Sequence, residues 1–150
     1  MISWMKSSII RNISVILVSI SLFLPWASRW ETNAHLFLYG FYTPISGFRS
    51  YGVHWLWVVP LLCLIMGIVM TLIGCLGKGV INASLHIVAS TIILFCGYFF
   101  LLWFLPTRPG GEGIIVTLEA KPSLGFFSVV IGGCLILIQA FSDLVQLWSE

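Results

Sequence analysis

Four long, mainly apolar stretches of the chain carry no formal charge: Asn12–Ser28, Ser50–Gly77, Gly79–Thr107 and Pro122–Ser142, which are 17, 28, 29 and 21 residues long. An α-helix crosses the hydrocarbon core of a bilayer with about 20 apolar residues, and a charge held in mid-span is costly. The charge map therefore predicts an all-α membrane protein, a four-helix transmembrane bundle in which residues 1–150 form a single domain. Composition agrees, because charged residues make up 8% of the chain where a soluble domain carries about 25%. The net charge of +2 is small and scattered, which excludes a nucleic-acid surface.

Punctuation sets the expected spans at about 9–24, 55–76, 81–105 and 124–147. Lys6 and Arg11 ahead of an apolar run resemble a secretory signal; we read the segment as a retained first helix. Pro25 and Pro106 end the first and third helices on one side of the bilayer. Trp26, Trp30, Trp55, Trp57 and Trp103 cluster at that side and are expected to form an interfacial aromatic belt. Gly77-Lys78-Gly79 forces the second and third helices into an antiparallel hairpin. Placing Lys6, Arg11 and Lys78 inside predicts a plasma (inner) membrane protein with both termini cytoplasmic, and three of the five acids then lie in the outer loops.

Those outer loops hold strand-like runs. His35–Tyr42 and Gly113–Ala120 are rich in aromatic and β-branched residues and are bracketed by Gly and Pro, as strands are. They predict a small non-cytoplasmic cap on the bundle. The first loop also carries Trp30, Phe37, Tyr39, Phe41, Tyr42, Phe48 and Tyr51. So dense an aromatic surface marks an interface with other integral membrane chains, with a second copy, or with the lipid bilayer.

Membrane helices associate through small residues and polar contacts, since lipid offers no hydrophobic contrast. Each span has such a stripe at helical spacing: Arg11, Ser14, Val18, Ser21 and Pro25; Pro60, Cys63, Gly67, Thr71 and Gly74; Asn82, His86, Ala89, Ile93 and Cys96; and Gly125, Ser128, Gly132, Leu135, Gln139, Asp143 and Gln146. In the antiparallel arrangement Arg11, Asn82, His86, Gln139 and Asp143 share the cytoplasmic half. The structural expectation pairs Arg11 with Asp143 and lets His86 bond Gln139 or Asn82. The functional expectation is a polar pocket for a lipid headgroup, a quinone or a pigment.

Catalytic patterns are missing from the sequence. The four cysteines (Cys63, Cys75, Cys96 and Cys134) lie inside expected spans, with no Cys-x-x-Cys pair for a dithiol relay. A proton-coupled exporter needs a carboxylate deep in a span, and Asp143 sits at a helix end. A bis-histidine haem needs two histidines at one depth, whereas His54 and His86 fall at opposite surfaces. Either could give a chlorophyll-type pigment a single ligand; otherwise no cofactor and no metal is expected.

The Leu24-Pro25-Trp26 helix ending, the long outer loop and Gly110-Gly111-Glu112-Gly113 resemble small bacterial four-helix inner-membrane proteins. The layout of two unequal outer loops is also similar to claudin-type proteins, but their Gly-Leu-Trp and paired-cysteine signature is absent, so no residue role follows. The resulting expectation is a non-catalytic accessory or structural subunit of a larger membrane complex. The alternative is a small-molecule binding or carrier protein.

Overall fold

Leu24 precedes a proline and is therefore biased away from helical backbone, so the first helix must stop before it. In the computed structural model, which describes residues 2–29, 33–44, 46–50, 55–76, 79–104 and 121–149, α1 runs Ile2–Ser21. Tight bonds from Leu22 N to Ser19 O and from Phe23 N to Ile20 O close its last turn. The helix thus starts earlier and ends earlier than the sequence suggested. The others match closely: α2 Trp55–Leu76, α3 Val80–Phe104 and α4 Leu124–Ser149.

Three helices are long and apolar enough to cross a membrane, through Val58–Leu76, Val80–Leu102 and Leu124–Trp148. The apolar part of α1, Ile9–Ser21, is shorter. α3 packs between α2 and α4, and α1 lies against the other side of α4. α1 and α2 touch only slightly.

The small-residue stripes are where the helices meet. A Cβ on Gly67 would stand 2.6 Å from Ile93 Cγ1 on α3, and one on Gly132 would stand 2.6 Å from Val18 Cγ2 on α1. Gly133 faces the other way, where a Cβ would fall 2.9 Å from Leu94 Cδ2. Adjacent glycines thus serve two neighbours of α4. Its buried residues accordingly include Val129 and Ile136 beside the expected Gly132 and Gln139, while Ser128 and Leu135 are half-buried and Gln146 is exposed. Pro60 interrupts the hydrogen-bond ladder of α2, and the Cys96 thiol donates to its carbonyl at 3.3 Å.

The expected cap is a five-stranded sheet of β1 (Ala27–Arg29), β2 (Ala34–Phe37), β3 (Gly40–Thr43), β4 (Gly47–Ser50) and β5 (Lys121–Pro122). Its antiparallel order is β4-β3-β2-β1-β5. The run His35–Tyr42 is a hairpin rather than one strand, turning at Leu38-Tyr39. Burial of Leu38 holds that turn down on the core cluster with Leu36. Gly47, which pairs Thr43, has φ 66°, a region where a side chain would be strained. β5 joins β1 through Ala27↔Pro122 and Ser28↔Lys121, so the chain just before α4 completes the cap. The run Gly113–Ala120 lies outside the described residues.

Trp26, placed in the interfacial belt by the sequence reading, is fully buried. It stacks edge-on against Phe100 of α3 with ring centroids 5.1 Å apart. Its indole N–H donates to Ser21 O at 2.8 Å, one of the carbonyls that a helix end leaves unpaired.

Substituting Gly67→Leu or Gly132→Leu should each lower stability by about 1–3 kcal/mol through overpacking. Gly97→Ala is the contrast: its Cβ meets nothing closer than 3.6 Å, so thermal unfolding in detergent should be unchanged or slightly raised. Trp26→Phe keeps a ring but strands the Ser21 carbonyl, and should cost about 1–3 kcal/mol in the same measurement.

Candidate functional site

At the end of the bundle away from the sheet, polar residues from every helix come together. Arg11 projects from α1, Thr71 and Cys75 from α2, Asn82 and His86 from α3, and Gln139 and Asp143 from α4. On each of α2, α3 and α4 the pair is spaced i, i+4, which sets both side chains on one face. Thr71 and His86 are equidistant along the chain from the connection between α2 and α3, so the hairpin sets them opposite one another.

His86 is the centre of the group and is 1% exposed. Its Nε2 lies 3.2 Å from Thr71 O and 3.9 Å from Cys75 Sγ. A carbonyl only accepts, so Nε2 carries the hydrogen, and in the neutral ring Nδ1 is an acceptor. Thr71 has its own hydroxyl turned back to Gly67 O at 2.8 Å. The ring fits because Gly74 has no side chain: a Cβ there would stand 2.8 Å from His86 Nε2 and 3.1 Å from Asn82 Oδ1. Arg11 and Asp143 both act electrostatically on His86, and Arg11 also reaches Cys75.

The Asp143 carboxylate accepts from Gln139 Nε2 at 2.7 Å. The expected partnership of Arg11 with Asp143 is replaced by this bond within α4. Arg11 Nε, Asn82 Oδ1 and His86 Nδ1 are buried with no hydrogen-bond partner among the described residues. Burying such groups unpaired costs about 1–3 kcal/mol each, and three of them at one place is the most unusual feature of the molecule.

Of the five polar residues singled out from the sequence, Asn82 and His86 therefore sit together against Gly74 and Gln139 bonds Asp143, with His86 and Gln139 buried as expected. Thr71 and Gly74 stood only in the packing stripe, and Cys75 only as a small hydrophobe. Pairing residues at equal distances from the connection between α2 and α3 would have found Thr71 and Cys75. His54 lies outside the described residues, so of the two pigment-ligand candidates only His86 has a described position. No group of three His, Cys, Asp or Glu side chains suited to a metal ion occurs among the described residues.

On the sheet, Phe37, Tyr39 and Phe48 form a triangle with centroid distances of 5.8, 5.9 and 5.7 Å. Tyr39 is 37% and Phe48 49% exposed. Tyr42, also exposed, stacks on His35 at 6.3 Å. Ser28 shares hydrogen bonds with His35 Nδ1 at 3.0 Å and Ser123 Oγ at 3.1 Å, joining β1, β2 and the start of α4. Trp30 and Tyr51 lie outside the described residues, as does the side chain of Phe41.

Gly74→Ala tests the polar site directly. The added methyl group should displace the imidazole from Thr71 O and lower stability by about 1–3 kcal/mol, read as an earlier thermal transition in detergent.

Compared with protein-family models, curated proteins and solved structures, the chain matches none.

Proposed function

We propose that this chain is a non-catalytic accessory subunit of a larger integral membrane complex, held in a bacterial inner membrane by four spans. The observation that carries the reading is the aromatic triangle on the sheet. Phe37, Tyr39 and Phe48 hold one another in place while leaving Tyr39 and Phe48 open. Rigid aromatic side chains lose little freedom on contact and are enriched at the centres of protein interfaces. The sheet that carries them is tied to the bundle through Trp26, so the surface is presented in a fixed position. The occupant we assign to it is the extramembrane part of a partner membrane chain.

α1 supports the fourth span. Its 20 residues extend about 30 Å at helical rise, and Ser14, Val18 and Ser21 are buried on one side. On the other side Ile9, Ile13, Ile16 and Ile20 form an exposed row at helical spacing. Such a row suits lipid far better than water. Lys6 near its start favours a cytoplasmic N-terminus by the positive-inside rule, which puts the sheet outside.

A cysteine introduced at Ser46 should react with an impermeant thiol reagent added to intact cells, and one at Lys78 should not; labelling at Lys78 alone reverses the orientation. A photo-crosslinking residue at Tyr39 or Phe48 should capture one discrete membrane protein. Phe48→Ser should weaken retention of that partner about tenfold without shifting thermal unfolding. Crosslinks to lipid alone would reject the subunit reading in favour of a headgroup contact.

A further inference from the structure

The sheet ends on one side at an open strand. β4 is its last strand, and among the described residues only β3 pairs with it. The backbone N–H and C=O groups on the far side of β4 therefore have no strand to bond, which makes that edge a template for one more. Register assigns the side chains of β4 to the two faces. Phe48 pairs Tyr42, which pairs His35, and this row lies on the outer face. Arg49 pairs Phe41, in the row of Leu36 and Ala27 on the inner face. Leu36 and Ala27 are buried against the bundle, yet Arg49 is exposed, so the bundle does not reach beneath β4. Phe37 and Tyr39, the rings that Phe48 packs against, both lie on the β3 side, so the exposed half of Phe48 borders the free edge. The described residues of the sheet include Arg29, Arg49 and Lys121 and no acid.

We propose that a partner chain adds an extended segment of alternating apolar and acidic residues to β4, as one more strand of the sheet. Its backbone bonds the open edge. Its apolar side chains extend the cluster of Phe37, Tyr39 and Phe48 on the outer face, and an acid on its inner face pairs Arg49. Side chains on a strand alternate between faces, so a single segment with a period of two meets both demands. The occupant is a different chain rather than a second copy. Two copies of β4 in the registers that pair them most fully would set their Arg49 side chains opposite or diagonal on one face, within about 8 Å, where like charges oppose pairing. A charge on an edge strand discourages indiscriminate pairing, and here its sign selects the partner. The inference deepens the subunit reading and rests on it, since it names how the partner is held.

Photo-crosslinking residues placed singly at Phe48 and Ser50 of the full chain, in its native membrane, provide the test, with the captured segment mapped by mass spectrometry. Both positions belong to the outer face and leave Arg49 intact. Their crosslinks should fall two residues apart in one segment of one partner, with Asp or Glu between them. Arg49→Glu should reduce capture from Phe48 about tenfold, while Arg49→Lys keeps most of it. If Arg49→Glu fails to fold, the crosslink spacing on the unaltered edge still decides. Capture of a partner from Phe48 with no matching crosslink from Ser50 overturns strand addition and leaves the subunit reading standing, because the partner then rests on the aromatic face alone. Capture that Arg49→Glu leaves unchanged overturns the acidic partner in the same way. Crosslinks between two copies overturn the proposal in favour of self-pairing. Capture of lipid alone, or of nothing, rejects the proposal and the subunit reading together.

Discussion

Trp26 is where the separate parts of the molecule are joined. Its indole N–H caps Ser21 O at the end of α1, its backbone N–H donates to Leu36 O on β2, and its carbonyl accepts from Ser123 N ahead of α4. The ring itself lies edge-on to Phe100 of α3. One residue therefore satisfies a helix terminus, starts a sheet, positions a second helix and packs on a third. Gly125 is the matching requirement: a Cβ there would stand 2.7 Å from both Leu24 O and Trp26 Cδ1. Its N–H donates to Pro25 O at 2.8 Å, so the start of α4 is held against the turn that follows α1.

The two ends of the bundle treat polar groups in opposite ways. At the sheet end, Ser28, His35 and Ser123 are linked through hydrogen bonds, and the helix carbonyl that α1 exposes is capped. At the other end three buried polar atoms have no partner among the described residues. Folding has produced a satisfied network at the first place, so the second is not a general failure of the chain to pair its polar groups. Orphaned atoms that cluster are better explained by something that joins them than by chance. That contrast sets the two ends of the bundle apart.

Much of this was legible in the residues, and the parts that were not have identifiable causes. Charge-free lengths located α2, α3 and α4, because a span tolerates no unpaired charge wherever it falls. Glycine and serine spacing located the seams, because close approach needs small side chains whatever the neighbour. Trp26 was misplaced, since a tryptophan after a helix-ending proline reads the same in a headgroup belt as in a core. Its ring partner Phe100 tells the two apart, and that residue is distant in sequence. For Asp143, opposite charge and depth matched to Arg11 are visible in sequence, whereas the i, i+4 bond that Gln139 gives its carboxylate is a local contact that a charge map does not show.

α3 shows why these few contacts decide so much. It exposes Val88, Phe95, Tyr98 and Leu102 and buries Ala89, Ile93 and Cys96. Its outer face is thus at least as bulky and apolar as its inner one, and in lipid, hydrophobicity does not tell the helix which way to turn. Direction comes from Gly67 receiving Ile93, from the Cys96 thiol reaching the Pro60 carbonyl, and from His86 settling over Gly74 onto Thr71 O. Those three contacts run the length of the α2–α3 seam, and each combines a gap in one helix with a group on the other that only one rotation can fill. The polar cluster is therefore part of what orients the bundle. His86 spends one ring nitrogen on that task, and Nδ1 has no hydrogen-bond partner among the described residues.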